Sequence, residues 1–168
     1  FFLGSIIAIL KLIPLNNLFV KIVKKFCDFY VALFRGTPIV VQLLLLHFAV
    51  FPAMGLSLSD IPESSIIFGL NSAAYISEIM RGGINSVDKG QMEAARSLGL
   101  SKGQAMAKII FPQAIKNILP AIGNECIALL KETSVAGYVA VVDVTKAATN
   151  IRNKTFDAVN PIILLALI

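Results

Sequence analysis

Five apolar runs, set apart by short polar stretches, leave this chain one main option: helices that cross a lipid bilayer. A full-length example is "YVALFRGTPIVVQLLLLHFAVF", Tyr30 to Phe51. Crossing the hydrocarbon core takes about 20 predominantly apolar residues in one helix. Composition argues against the soluble alternative. Of 168 residues, 57% are hydrophobic and 15% charged, with a mean hydropathy of +0.80. A water-soluble domain of this length needs a polar shell that such a chain cannot supply. The expected fold class is all-α: a polytopic membrane protein with about five transmembrane helices.

The runs cover 1–15, 30–51, 61–80, 118–142 and a stretch starting near Ala158, and both terminal runs read as spans cut short. The run 118–142 is interrupted by Gly123, Lys131, Glu132 and Gly137, and a polar patch over 150–157 precedes the last run. Charge sorts the connections. Lys21, Lys24, Lys25 and Arg35 follow the first run, and Arg81, Lys89, Arg96, Lys102, Lys108 and Lys116 fill 81–117. The connection 52–63 holds Asp60 and Glu63 and neither lysine nor arginine. Cytoplasmic loops carry the excess of lysine and arginine, so 16–29 and 81–117 are expected inside and 52–63 outside. The net charge of +5 then reports topology, not a nucleic-acid partner. The opening run has no small-residue cleavage site after it and does not read as a signal peptide. Cys27 and Cys126 stand far apart without metal-type spacing, which fits small buried residues better than ligands.

The segment 81–117 is helical in pattern. Ser86 can cap a first helix, with Asp88 favoured in its opening turn by the helix dipole. Gly99 can take the left-handed conformation that ends it after Leu98. Ser101 with Gln104 forms a capping box for a second helix. That helix is expected to run to Phe111 and stop at Pro112. A helix–turn–helix on the water side can be a solvated connection, since alanine and glutamate are ordinary helix formers. It can also be a docking element: Ala94 and Ala95 permit close approach, and Glu93 offers a charged hydrogen bond.

The stretch "EAARSLGLSKGQAMAKIIFP", Glu93 to Pro112, resembles the EAA loop of bacterial ABC-importer permeases. Glu93, Ala94, Ala95, Gly99, Ile109 and Pro112 fall in register with that motif; Phe111 stands where leucine is usual. The resemblance implies that Glu93 to Ser101, with Arg96, Leu98 and Leu100 among them, form a coupling helix that seats in an ATP-binding subunit. No G-x-x-x-x-G-K-[ST] stretch occurs in the chain. ATP and its magnesium are therefore expected on that separate subunit, with no cofactor and no covalent chemistry here. "LFRGTPIVVQLLLLHF", "NSAAYISEIMRGGI", "PQAIKNILPAIGNE" and "LLKETSV" are similar to the polar amino-acid branch of these permeases. Departures are Ala32 before "LFRGTP", His47 in place of an aromatic, and Glu125 where glutamine is common. The resemblance implies one permease domain over 1–168 in the bacterial plasma (inner) membrane. It also implies a second copy or paralogue, two ATPase subunits and an extracytoplasmic amino-acid-binding protein, with no nucleic acid.

Polar residues inside the runs require a reason. Asn71, Tyr75 and Glu78 recur at i, i+4 and i+7, which puts them on one helix face. Gln42 lies in the second run, and Asn124 and Glu125 repeat at seven-residue spacing with Lys131 and Glu132. Ionisable groups in spans usually face the bundle interior or a watery path. The set can line a path for a zwitterion or cation; equally, each member can bond a neighbouring helix. Lys131 and Glu132 fit either a cytoplasmic gate or an internal pair. Pro38 after Thr37, with Gly36, predicts a bend where the second run begins, and Arg35 there suits a snorkelling anchor. Competing readings are a permease for another small solute, a secondary transporter, which would need its own inverted repeat, and a membrane scaffold.

Overall fold

A computed structural model describes residues 1–13 and 17–167. The regular structure among them is helical. Helix α1 covers Phe2–Leu12, α2 Leu18–Gly36 and α3 Ile39–Ala53. Helix α4 covers Asp60–Asn85 and α5 Lys89–Ser97. Helix α6 runs over 102–132, followed by a 3-10 segment at Thr133–Val139. Helices α7, Val144–Thr155, and α8, Asn160–Leu167, complete the chain. The expected end of the first run at Leu15, and the start of the basic stretch at Asn16, lie outside the described residues.

Several boundaries differ from the sequence expectation. The basic stretch before Tyr30 is helical from Leu18, because its charges gather on one side of α2 and leave apolar side chains for the rest. The anticipated bend at Thr37–Pro38 is a break between α2 and α3. No single helix among the described residues is long and apolar enough to cross a membrane alone; α2 and α3 pass that test only together. Helix α4, at 26 residues, extends about 39 Å at 1.5 Å per residue. It has the length, but Asn71, Ser72, Ser77 and Glu78 interrupt its apolar content. Gly123 does not break the fourth run, which stays helical to Glu132. Most of the polar patch 150–157 belongs to α7.

Pro112 does not end its helix either. A π turn at Met106–Ile110 precedes it, and the Phe111 amide reaches back five residues to the Met106 carbonyl. The widened turn lets the proline ring pass without meeting the carbonyl four residues earlier, and proline has no amide to lose. The same device recurs in α3, where a π turn at Leu46–Val50 precedes Phe51 and Pro52, and the Phe51 amide bonds the Leu46 carbonyl. Pro120 sits inside α6 without such a turn.

The contacts form two compact units. One contains Phe1–Gly36 and Asn71–Ile127, the other Thr37–Leu70 and Ala128–Ile168. In the first, Ile7 of α1, Cys27 and Val31 of α2 and Ala74 of α4 form the core, with Tyr30 and Phe34 packed against it. In the second, Leu43, Phe51, Ile67 and Val139 play that part. Gly4 lets α1 approach α4 closely: a Cβ there would lie 2.7 Å from the Ala73 carbonyl oxygen and 2.8 Å from the Ile76 Cβ. Small residues at helix crossings serve this purpose in membrane proteins.

At the start of α8, Asp157 accepts from the amides of Val159 and Asn160 at 3.0 and 3.1 Å, and from the Asn160 Nδ2 at 2.6 Å. The two backbone amides hold its carboxyl below the usual carboxylate range. A depressed value means that this contribution persists through neutral pH and disappears only as pH falls through the lowered value.

Gly4→Ala should destabilise the purified protein by the ~1–3 kcal/mol typical of overpacking, read as a lower melting temperature. Gly69→Ala, in a helix interior with no heavy atom within 4 Å of the added carbon, should leave it equal or higher. Protection factors of the Val159 and Asn160 amides should hold through neutral pH and fall only in acid below the ordinary carboxylate range, and Asp157→Asn should flatten that dependence.

Candidate functional site

Residues 88–112 fold into a helical hairpin whose joints are fixed by local chemistry. Asp88 is the N-cap of α5, accepting from the Gly90 amide at 2.6 Å. Ser86, expected in that role, instead donates to the Gly83 carbonyl and accepts from Asn117 Nδ2, both at 2.8 Å. Two cap-competent side chains lie two residues apart, and the later one takes the helix because Ser86 is held at the base of the hairpin. At the other end Gly99 has φ +85°. Its amide bonds the Arg96 carbonyl at 3.0 Å, and the Leu100 amide bonds the Ala95 carbonyl at 3.2 Å. This paired pattern is the Schellman motif, which needs a left-handed residue at its turn. The Ser101–Gln104 capping box is present in both directions, at 3.2 and 2.9 Å.

These joints decide what the hairpin shows to its surroundings. Ala95 is turned inward and only 4% exposed, with Ala105 and Ile110 likewise buried. The low-volume surface expected from Ala94 and Ala95 together is therefore carried by Ala94 alone. Beside it stand Glu93, Arg96 and Ser101, also exposed, and Leu98, 81% exposed. Leu100 and Ile109 are half-buried, and Pro112 is exposed. An apolar leucine at the tip, next to an exposed carboxylate and an alanine, is a surface suited to a protein partner. Two side-chain bonds root the hairpin on α6: the Asn117–Ser86 bond and a longer one from Gln113 to Gln91, 3.4 Å. Gly83 of α4 packs directly on the Ile118 side chain, where a Cβ would collide.

The polar residues anticipated along a path are placed as follows. Asn71, Tyr75 and Glu78 share a face of α4, as expected. Asn71 is buried and donates to the Phe34 carbonyl of α2 at 3.3 Å. The Arg35 guanidinium lies 5.3 Å from the centre of the Tyr75 ring, a cation–π distance. Glu78 is a hub. Its carboxylate accepts from Lys11 Nζ at 2.6 Å and from Arg81 at 2.6 and 3.1 Å, with Arg35 at 3.9 Å. Lys11 also pairs with Asp28 at 2.8 Å. Glu78 is 15% exposed and Lys11 12%, so the pair is shielded from solvent.

Gln42 belongs to the other unit, where its Nε2 donates to the Thr37 carbonyl and hydroxyl at 2.8 Å each. Asn124 is exposed and Glu125 half-buried on α6. The second unit holds a further pair, His47 Nδ1 to Glu63 at 3.0 Å. Lys11 and Asp28 were not anticipated. A lysine inside the run "IAILKLI" did signal that a carboxylate partner must be near, but nothing local names Glu78, 67 residues away.

With this geometry in view, comparison with known proteins is specific. The family described as "Binding-protein-dependent transport system inner membrane component" matches residues 1–168. An arginine transport system permease protein of Bacillus subtilis (strain 168) is 43% identical over 141 residues, covering 84% of this chain and 64% of the relative. A putative glutamine transport system permease protein of Rickettsia bellii (strain RML369-C) is 42% identical over 146 residues, covering 87% and 67%. The chain thus spans about two thirds of the length of these relatives. The crystal structure of an amino acid ABC transporter with histidines matches with a TM-score of 0.89 at 39% identity, over 99% of this chain and 75% of that one. This chain belongs to the family of binding-protein-dependent transport system inner membrane components.

Proposed function

We propose that this chain is the membrane-spanning permease subunit of an ATP-driven importer of polar amino acids. The single observation that carries the reading is the hairpin. Glu93, Ala94 and Leu98 stand exposed on a short helix held at its far end by Gly99 and the Ser101–Gln104 box. Arginine and glutamine, named for two relatives, and the histidines of the matched transporter support a polar amino acid as the substrate.

In this reading the hairpin lies on the cytoplasmic side and seats in an ATP-hydrolysing subunit. Nucleotide-driven closure of two such subunits draws two hairpins together, one from each permease copy or paralogue. The displacement passes to α4 through the contacts at Ser86 and Gly83, and to α6 through Asn117. Coupling of this kind requires a packed element with two arrangements. An extracytoplasmic binding protein delivers the amino acid, and the chain crosses the bilayer several times.

Glu78 serves this machine as a clamp and not as a ligand for a substrate ammonium. Its two oxygens are already engaged by Lys11 and Arg81. Removing one member of a shielded pair leaves the others uncompensated, which is strongly destabilising. In this reading Asn71, Tyr75, Asn124, Glu125 and Gln42 are the polar groups that line a path.

Leu98→Asp should weaken binding of the ATPase subunit by about tenfold or more, as expected for a central apolar anchor. It should abolish uptake in proteoliposomes while the permease still folds. Unchanged binding and uptake would remove the hairpin from coupling. Glu78→Gln should lower the melting temperature and reduce uptake of arginine, lysine and glutamine alike. Selective loss of cationic substrates with unaltered stability would return Glu78 to the substrate path.

A further inference from the structure

Helix α2 divides into three sectors when its residues are placed at about 100° per position. One sector packs inward through Val23, Cys27, Val31 and Phe34. A second, about 100° wide, carries Leu18, Phe19, Ile22, Phe26, Phe29 and Leu33, all of them exposed, with Phe26 at 71%. The third is charged, with Lys21, Lys24, Lys25, Asp28 and Arg35 in sequence. Five charged residues in 19 make α2 a poor span by itself. A bulky apolar stripe bordered by lysines is the pattern of a helix lying in the membrane interface.

The charged sector opens on a cavity of about 240 Å³ lined by Lys11, Lys24, Asp28 and Arg81. Three of the four lining groups are cations. Asp28 is committed to Lys11, Arg81 is drawn to Glu78, and Lys24 donates to the Ile13 carbonyl at 2.5 Å, which is neutral. Lys21 and Lys25 have no ion pair among the described residues and extend the positive ledge along the same sector. Two carboxylates, Asp28 and Glu78, thus face six cations: Lys11, Lys21, Lys24, Lys25, Arg35 and Arg81. The excess positive charge sits beside an apolar stripe able to accept acyl chains.

We propose that this cavity binds the phosphate of an anionic phospholipid, with the chains lying on the Ile22–Phe26–Phe29 stripe of α2. Lys24 supplies the principal contact, while Lys21 and Lys25 hold the negative charge at the ledge. Lys11 and Arg81 add positive potential without leaving Glu78. Basic clefts next to a membrane-seated helix recognise anionic headgroups by charge and hydrogen bonding together. The bound lipid would fix α2 at the bilayer surface and steady the clamp from which α4 and the hairpin extend. The inference rests on the family's membrane location and not on the transport reading, so its readout is lipid retention, not uptake.

The test uses the full-length protein in nanodiscs of equal phosphatidylglycerol and phosphatidylcholine, with retained lipid measured by native mass spectrometry after detergent transfer. Phosphatidylglycerol should be retained over phosphatidylcholine by about tenfold or more. The triple variant Lys21→Gln, Lys24→Gln, Lys25→Gln should lose the preference, and Lys21→Arg, Lys24→Arg, Lys25→Arg should restore it, which separates charge from folding. Millimolar glycerol phosphate should fail to displace the lipid. Equal retention of both lipids, or a preference that survives the glutamine variant, overturns the proposal; displacement by glycerol phosphate overturns the lipid as its ligand.

Discussion

Glu78 is the point on which the first unit depends. A carboxylate on a largely apolar helix is tolerated only when its charge is met close by, and here Lys11 of α1 and Arg81 of α4 meet it, with Arg35 of α2 at longer range. The cluster ties α1 to α4 beyond what apolar packing at Ile7, Val31 and Ala74 achieves. Arg81 lies three residues after Glu78, Gly83 packs on Ile118, and Ser86 forms the base of the hairpin. The charge cluster thus lies about two helical turns along the chain from the base of the hairpin.

The joint of the hairpin is held by local bonds to backbone groups at both helix ends. Gly99 and Leu100 satisfy carbonyls that α5 would leave open, and Ser101 and Gln104 satisfy amides that α6 would leave open. Helix α5, at nine residues, is too short to be stable by itself, so its caps and its joint to α6 hold it in place. The π turn before Phe111–Pro112 then lets the same helix continue into α6 without a break. The helix that begins after Ser101 therefore continues unbroken to Glu132, whereas one stopped at Pro112 would have ended within the hairpin.

Local features were legible in the sequence and distant ones were not. Gly99, the Ser101–Gln104 box and the helical spacing of Asn71, Tyr75 and Glu78 are written within a few residues, and the structure has them as expected. The sequence points to Ser86 as the cap with Asp88 in the first turn; the bond of Ser86 with Asn117, 31 residues away, leaves the cap to Asp88. Pro112 and Gly123 suggested breaks because their average behaviour is to interrupt helices, but a π turn removes the conflict at the first and surrounding helix formers override the second. The total charge of the stretch before Tyr30 suggests a loop, but the placement of that charge on one side of α2 lets it fold as a helix. The partners of Glu78 come from three parts of the chain, a proximity that only the fold supplies.

The central claim is that the exposed face of α5 meets an ATP-hydrolysing subunit. The direct measurement is oxidative crosslinking in the full-length assembled transporter, in membranes, with Ala94→Cys in a Cys27→Ala, Cys126→Ser background and single cysteines placed across the ATPase surface. If the face docks there, one narrow patch of the ATPase forms a disulfide with residue 94 in high yield, and the yield changes between nucleotide-free and ATP-bound states. If no position on the ATPase traps residue 94 while uptake remains intact, the hairpin is not the coupling element.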